Sequence, residues 1–385
     1  MKKSLLAGLM VAAIPAAILA QNSGQVRAGN QPVKAGMERA GTKIKNSWIC
    51  VLDRATPGNQ VAAEARQSAG LGAGRVKHVY TGAVKGFALA VPDRAIARVK
   101  NGNPSIKYCE QDQVMAIASK GRARIAGHVS TAAAEDFVPW GIARVNGGTG
   151  SGFRRAWVID SGIASHPDLN LDTGRSRSFV SGTNSYSDGN GHGTHVAGTI
   201  AARAGNGGVV GVAPGAPVVS LRVFDSSGSG SNAAVIAAVD HTYRYAAAGD
   251  VVNMSLGGGT STTLDNAVLR ASNRGIYFTL AAGNESMNSN YSSPGRVNGT
   301  YVWTVSAFDS NDRFASFSNY ANPPIDVSEP GVDIPSTYLN GSYAYLSGTS
   351  MATPHLAGLI LQRSVRNGGR VSGDPDGNAD IIGVK

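Results

Sequence analysis

Three short segments supply the side chains that nucleophilic acyl transfer needs: a carboxylate, an imidazole and a hydroxyl. In AlaTrpValIleAspSerGlyIle (156–163) an apolar run ends in Asp160, and Gly162 turns the chain away. Alone, an Asp at a strand end is most often a turn or cap residue. In AsnGlyHisGlyThrHisValAlaGlyThr (190–199) Gly191 and Gly193 flank His192 where a helix begins, so the ring can project from the helix end. His195 follows one turn later. Two histidines at that spacing could also ligate a metal. The HisGluXaaXaaHis pattern is absent and no third ligand stands out, so His195 reads as a packed or hydrogen-bonded histidine. In SerGlyThrSerMetAlaThrProHis (347–355) a glycine turn delivers Ser350 to the first turn of a helix. A serine there is ordinarily an N-cap. The unpaired N–H groups of a helix start also suit a developing oxyanion.

These residues need elements that bring them together. From residue 154 onward, strand-like apolar runs at 157–159, 218–223, 251–255, 276–281 and 302–306 alternate with helical stretches near 193–203, 232–247, 263–273 and 350–366. That alternation predicts an α/β fold with a parallel sheet and helices on both faces. Such sheets build their sites at the carboxyl ends of strands, where Asp160 falls. The chain order Asp, His, Ser departs from the Ser, Asp, His of α/β-hydrolases and from the His, Asp, Ser of the chymotrypsin type.

On these motifs the chain resembles the subtilisin-like serine proteases, and ValProTrpGlyIleAlaArgVal (138–145) is similar to the mature-domain entry of proteinase K-like members. The resemblance covers roughly 138–366 and implies a subtilisin-like fold. It also implies roles: Ser350 attacks the scissile carbonyl, His192 takes its proton, and Asp160 holds the imidazole. Asn284, in AlaAlaGlyAsnGlu (281–285), would join the Ser350 backbone N–H on the oxyanion. A substrate strand would pair with Ser255, Leu256, Gly257 and Gly258 on one side and with Ser229 and Gly230 on the other. Ala282 and Gly283 complete that binding set. A glycine-lined, largely apolar S1 region implies a broad endopeptidase favouring apolar or aromatic P1, and Glu285 at the rim would admit a basic P1 as well. Asp168, in SerHisProAspLeu, matches a position that ligates structural calcium in relatives, but Asn206 of the partner loop is displaced by one place. No catalytic cofactor is implied. A subtilase-like scaffold that binds without cutting is the alternative, and a serine-directed inhibitor separates the two.

Residues 46–118 read as strand (47–52), helix (60–69), strands (75–80 and 86–91), helix (93–101) and strand (106–110), the ferredoxin-like β-α-β-β-α-β order. With LysGlyPheAla (85–88) and GluGlnAspGlnVal (110–114) this region resembles the family's inhibitory propeptide. The resemblance implies cleavage near Ala118 or Ser119, with Val114–Ala118 lying in the cleft like a product. Lys2, Lys3, an apolar stretch from Leu5 to Leu19 and a small residue at Ala20 read as a signal peptide. The expected division is therefore signal peptide 1–20, flexible lead 21–45, propeptide 46–119, exposed processing connector 120–137 and catalytic domain 138–385. It describes a secreted monomer with no stable membrane anchor, acting on proteins or peptides and inhibited by its own propeptide.

Composition narrows the alternatives. With 42% hydrophobic and 16% charged residues the chain can bury a core, which excludes global disorder. Its 50 glycines follow no Gly-X-Y period, which excludes a collagen-like chain. The formal charge of +10 belongs wholly to residues 1–119, which hold 16 Lys and Arg against 6 Asp and Glu. The neutral remainder offers no footprint for nucleic acid. Cys50 and Cys109 are the only cysteines. Export permits a disulfide between them, and their strand-like surroundings equally suit two buried thiols. Either way, cysteine-protease chemistry is excluded from the main domain.

Overall fold

The computed structural model describes residues 39–127 and 135–385. The expected signal peptide, most of the expected lead and residues 128–134 of the expected connector lie outside the described residues. The N-terminal module contains β1 (Lys43–Leu52), α1 (Val61–Leu71), β2 (Arg75–Tyr80), β3 (Gly86–Ala90), α2 (Ile96–Gly102) and β4 (Ile106–Ile117). Its antiparallel sheet runs β4-β1-β3-β2. Period-2 alternation gives the sheet two apolar faces. Cys50, Leu52, Phe87 and Leu89 pack with Val61, Ala65 and Val99 of the helices, whereas Ile49, Ala88 and Met115 point the other way into the main core. Cys50 and Cys109 are cross-strand partners joined by a disulfide, which settles the alternative the sequence left open.

The chain continues through β5 (Lys120–Gly127), α3 (Trp140–Arg144), β6 (Ala156–Asp160), β7 (Asn170–Leu171), β8 (Arg177–Ser178), α4 (His192–Ala201), β9 (Pro217–Arg222), β10 (Ser229–Ser231) and α5 (Asn232–Tyr245). After these come β11 (Val251–Met254), β12 (Leu256–Gly258), α6 (Thr262–Ser272), β13 (Tyr277–Ala281), β14 (Val302–Phe308), β15 (Ile325–Pro330), β16 (Ile334–Thr337), β17 (Tyr343–Ser347), α7 (Thr349–Leu361), β18 (Arg366–Arg370) and β19 (Ile381–Val384). The main sheet runs β19-β15-β14-β13-β11-β6-β9-β7 with parallel pairing, and β18 adds an antiparallel edge. Alternate residues of β6 face opposite cores. Trp157 and Ile159 pack with α5 and α6, while Ala156 and Val158 pack with α4 and α7. This is the α/β sheet with helices on both faces that the alternation predicts.

Two segments depart from expectation. The last helix stops at Leu361 instead of running to 366, because the apolar run ends there and Arg363 turns left-handed at φ +56°. Residues 120–127, expected as an exposed connector, form β5 and pair antiparallel with β17. Their polar composition hid this, since an edge strand recruits backbone groups and does not require apolar side chains.

Candidate active site

Asp160 ends β6 and His192 opens α4, and the two meet because the helix approaches the strand end closely. A Cβ on Gly193 would sit 2.1 Å from the Gly162 carbonyl oxygen and 3.1 Å from Asp160 Cβ, so only glycine fits. The His192 Nδ1 lies 2.8 and 3.0 Å from the two Asp160 oxygens, and its Nε2 is buried without a partner. That contact assigns the Nδ1–H tautomer. The turn before α4 is held by Asp188, a residue sequence reasoning missed. Its buried carboxylate accepts from the N–H groups of Asn190, Gly191 and Thr194 and from the hydroxyls of Ser161 and Thr194. An Asp just ahead of a helix start was the available signal.

Ser350 lies in the first turn of α7, behind Gly348 at φ +146°. Pro354 sits inside this helix and has no N–H to offer the Ser350 carbonyl one turn back. The Ser255 hydroxyl takes its place, donating to Ser350 O at 2.9 Å, while Asn253 Nδ2 donates to Ser255 Oγ. Ser350 Oγ in turn donates to the Ser255 carbonyl at 3.0 Å. Asn284 follows β13, and its Oδ1 accepts from Thr349 N–H at 2.9 Å and from Thr349 Oγ1 at 3.0 Å. Its Nδ2 is thereby turned away from Thr349 and is buried with no partner. Ala282 and Gly283 form the turn before it, with Gly283 N–H donating to Thr349 Oγ1.

A strand of the chain itself fills the cleft beside Ser350. Val114, Met115 and Ala116 pair with Ser231, Gly230 and Ser229 of β10. Met115, Ala116 and Ile117 pair with Gly258, Gly257 and Leu256 of β12 on the other side. Ala118 N–H donates to the Ser255 carbonyl at 3.3 Å, and the Ala118 carbonyl accepts from the Ser350 N–H at 3.1 Å. A Cβ on Gly348 would meet that carbonyl oxygen at 2.6 Å. Beyond Ser119 the chain enters β5.

The remaining candidates fall elsewhere. His195 is fully buried, its Nε2 donating to the carbonyls of Ile334 and Ala344, and burial holds its pKa down to about 3. Glu285 turns its Oε2 back onto Asn284 N–H and Asn319 Nδ2, so that oxygen is committed to this turn. Asp168 accepts from Tyr343 OH at 2.6 Å and faces Asn206 Nδ2 at 3.4 Å. The neighbouring loop directs its Gly205 and Gly207 N–H groups onto Asp136. Calcium requires about six to eight oxygen ligands. Donors occupy both Asp168 oxygens and the loop presents N–H groups, so these residues do not fit the calcium site expected at Asp168. Among the described residues no group of three or more His, Cys, Asp or Glu is arranged to hold a metal ion.

The model of the subtilase family matches residues 157–367. The chain is 39% identical over 311 residues to the extracellular serine proteinase of Thermus sp. (strain Rt41A), covering 77% of this chain and 70% of that one. This chain is a subtilase. It is 48% identical over 231 residues to the thermostable alkaline protease of Halalkalibacterium halodurans, covering 58% of this subtilase and 61% of that relative. Subtilisin E of Bacillus subtilis is 41% identical over 296 residues, with 73% and 71% covered. Among solved structures, a cold-adapted subtilisin-like serine proteinase matches with a TM-score of 0.55 at 37% identity, covering 63% of the subtilase and 96% of that chain. The subtilase is therefore a serine protease, and its substrates are peptides. No helix among its described residues is long and apolar enough to cross a membrane.

Proposed function

We propose that this subtilase is an exported endopeptidase, made as a precursor that cuts itself between Ala118 and Ser119. In this reading Ser350 Oγ attacks the P1 carbonyl and passes its proton to His192 Nε2, the nitrogen left without a partner. Asp160 fixes the imidazole and stabilises the cation that forms. The oxyanion develops between Ser350 N–H and Asn284 Nδ2, at the start of α7. His192 then returns the proton to the leaving amine, and water hydrolyses the acyl-enzyme. Residues 46–118 inhibit the enzyme until they are released.

The observation that carries this reading is the seat of the Ala118 carbonyl, 3.1 Å from the Ser350 N–H with the preceding residues paired on both sides. A substrate held the same way places its scissile carbonyl at the nucleophile. Ser350 Oγ donates to the Ser255 carbonyl and His192 Nε2 has no partner, so this reading requires Ser350 to take another staggered rotamer that meets the imidazole. The glycine-lined S1 region that the family resemblance implies, with the SerLeuGlyGlyGly segment (255–259), is what supports a preference for apolar or aromatic P1. The test is Ser350→Ala beside the parent. The parent sheds the segment ending at Ala118 and hydrolyses casein. The variant accumulates uncut and is inert. A variant that is still processed on its own, or a parent whose new N-terminus lies before residue 110, ends the reading.

A further inference from the structure

Past Ser119 the chain does not leave the active-site face. Backbone pairing places Lys120 opposite Ser347, Arg124 opposite Tyr345 and Gly127 opposite Tyr343, so β5 extends the β16–β17 pair into a three-stranded sheet. Counting from the Ala118 carbonyl, Arg124 is the sixth residue on the leaving-group side. Its guanidinium stacks 4.0 Å from the centroid of the Tyr345 ring and lies 3.8 Å from an Asp333 oxygen. Asp333 is held there by its N–H donating to Ser347 Oγ at 2.9 Å. The neighbouring Ile125 side chain is exposed.

We propose that the free edge of β17 is the primed-side binding strand for polypeptide substrates, and that Tyr345 and Asp333 form a subsite for an arginine or lysine at P6′. This rests on the protease reading and on Ala118–Ser119 as its first scissile bond. The segment following that bond occupies the path that the leaving side of any later substrate must take. Pairing with β17 uses main-chain groups, so it is open to most sequences. Selectivity enters where a side chain meets a fixed partner. An aromatic face beside a carboxylate attracts a cation, and the planar guanidinium stacks better than an ammonium. Asp333 is exposed and Tyr345 only half-buried, which makes the preference modest and weaker at high salt.

The test uses quenched-fluorescent peptides that share ValMetAlaIleAla-Ser around the cut. One stops at P3′, and two run to P9′ with Arg or Glu at P6′. With the secreted, processed enzyme, extension raises kcat/KM, and Arg is preferred over Glu by about two- to fivefold. Asp333→Lys and Tyr345→Ala each reduce that ratio toward one while leaving the short peptide's turnover unchanged. Equal kcat/KM for short and long peptides overturns the binding strand, including the case in which the enzyme's own Ser119–Gly127 arm stays on the edge. An Arg-to-Glu ratio unmoved by both variants overturns the subsite. Failure to cut even the short peptide sinks the protease reading first, and the inference with it.

Discussion

Asn284 gives its carbonyl oxygen to Thr349 and keeps its Nδ2 for the cleft. Asn284→Ala removes the proposed oxyanion donor together with the acceptor of Thr349 N–H and Oγ1. We expect kcat to fall by about 10²–10³, the magnitude measured for the equivalent donor of a subtilisin, with KM almost unchanged. Steady-state kinetics on one peptide checks this. Ser255 acts through a different atom. Its hydroxyl satisfies the carbonyl that Pro354 leaves unpaired, so Ser255→Ala strands a buried acceptor beneath the nucleophile. The cost should be about 1–3 kcal/mol in stability. Pro354→Ala in that background restores an N–H one turn on and should recover part of the loss, as denaturant unfolding of the two variants would reveal. No periodicity advertises this pairing, because it joins a strand end to a helix across a gap in sequence that only the fold closes.

At the scale of elements, the sequence made the starts of α4 and α7 and the end of β6 legible. There a change of hydrophobic period coincides with a glycine, and the candidate catalytic residues sit at the junction. The rest depended on tertiary contacts. Asp188 looks like an ordinary loop residue until five donors converge on it, and β5 is polar because it borrows its order from the edge of β17. The N-terminal module was legible in element order, yet β4 runs on to Ile117 because β10 and β12 flank it, which local propensity cannot register. The disulfide joins β1 to β4 within this module, across a sequence separation of 59. Closing a loop of that size stabilises the folded state by about 4 kcal/mol in the chain-entropy model. A reductant should therefore lower the melting temperature of the Ser350→Ala precursor and leave that of the processed enzyme where it was.

Across the whole molecule, the N-terminal module is fastened to the helices beneath it by carboxylates and hydroxyls as well as by apolar packing. Asp112 accepts from Ala233 N–H at the start of α5, Glu110 accepts from the Ser261 hydroxyl that caps α6, and Asp240 receives Thr81 and Gly82 N–H from the module. His78 lines a cleft between β2 and the segment Ser178–Asn184. Burial, helped by Lys77, holds its pKa down to about 4, so it is neutral in the assembled chain. A depressed histidine pKa disfavours the folded state wherever the unfolded chain binds the extra proton. This contribution vanishes above about pH 6.5 and grows as pH falls toward 4. Melting of the Ser350→Ala precursor across that window should fall less steeply when His78→Gln is added, and parallel curves would show that His78 does not sense acid. The uncut chain has a further property. Its residues 114–127 pair with β10, β12 and β17, so three strands that would otherwise present bare main-chain groups are covered. Removing that cover exposes them together, and unpaired strands template association with other chains. Maturation would thus trade colloidal safety for catalytic access, making the precursor the better-behaved species at high concentration.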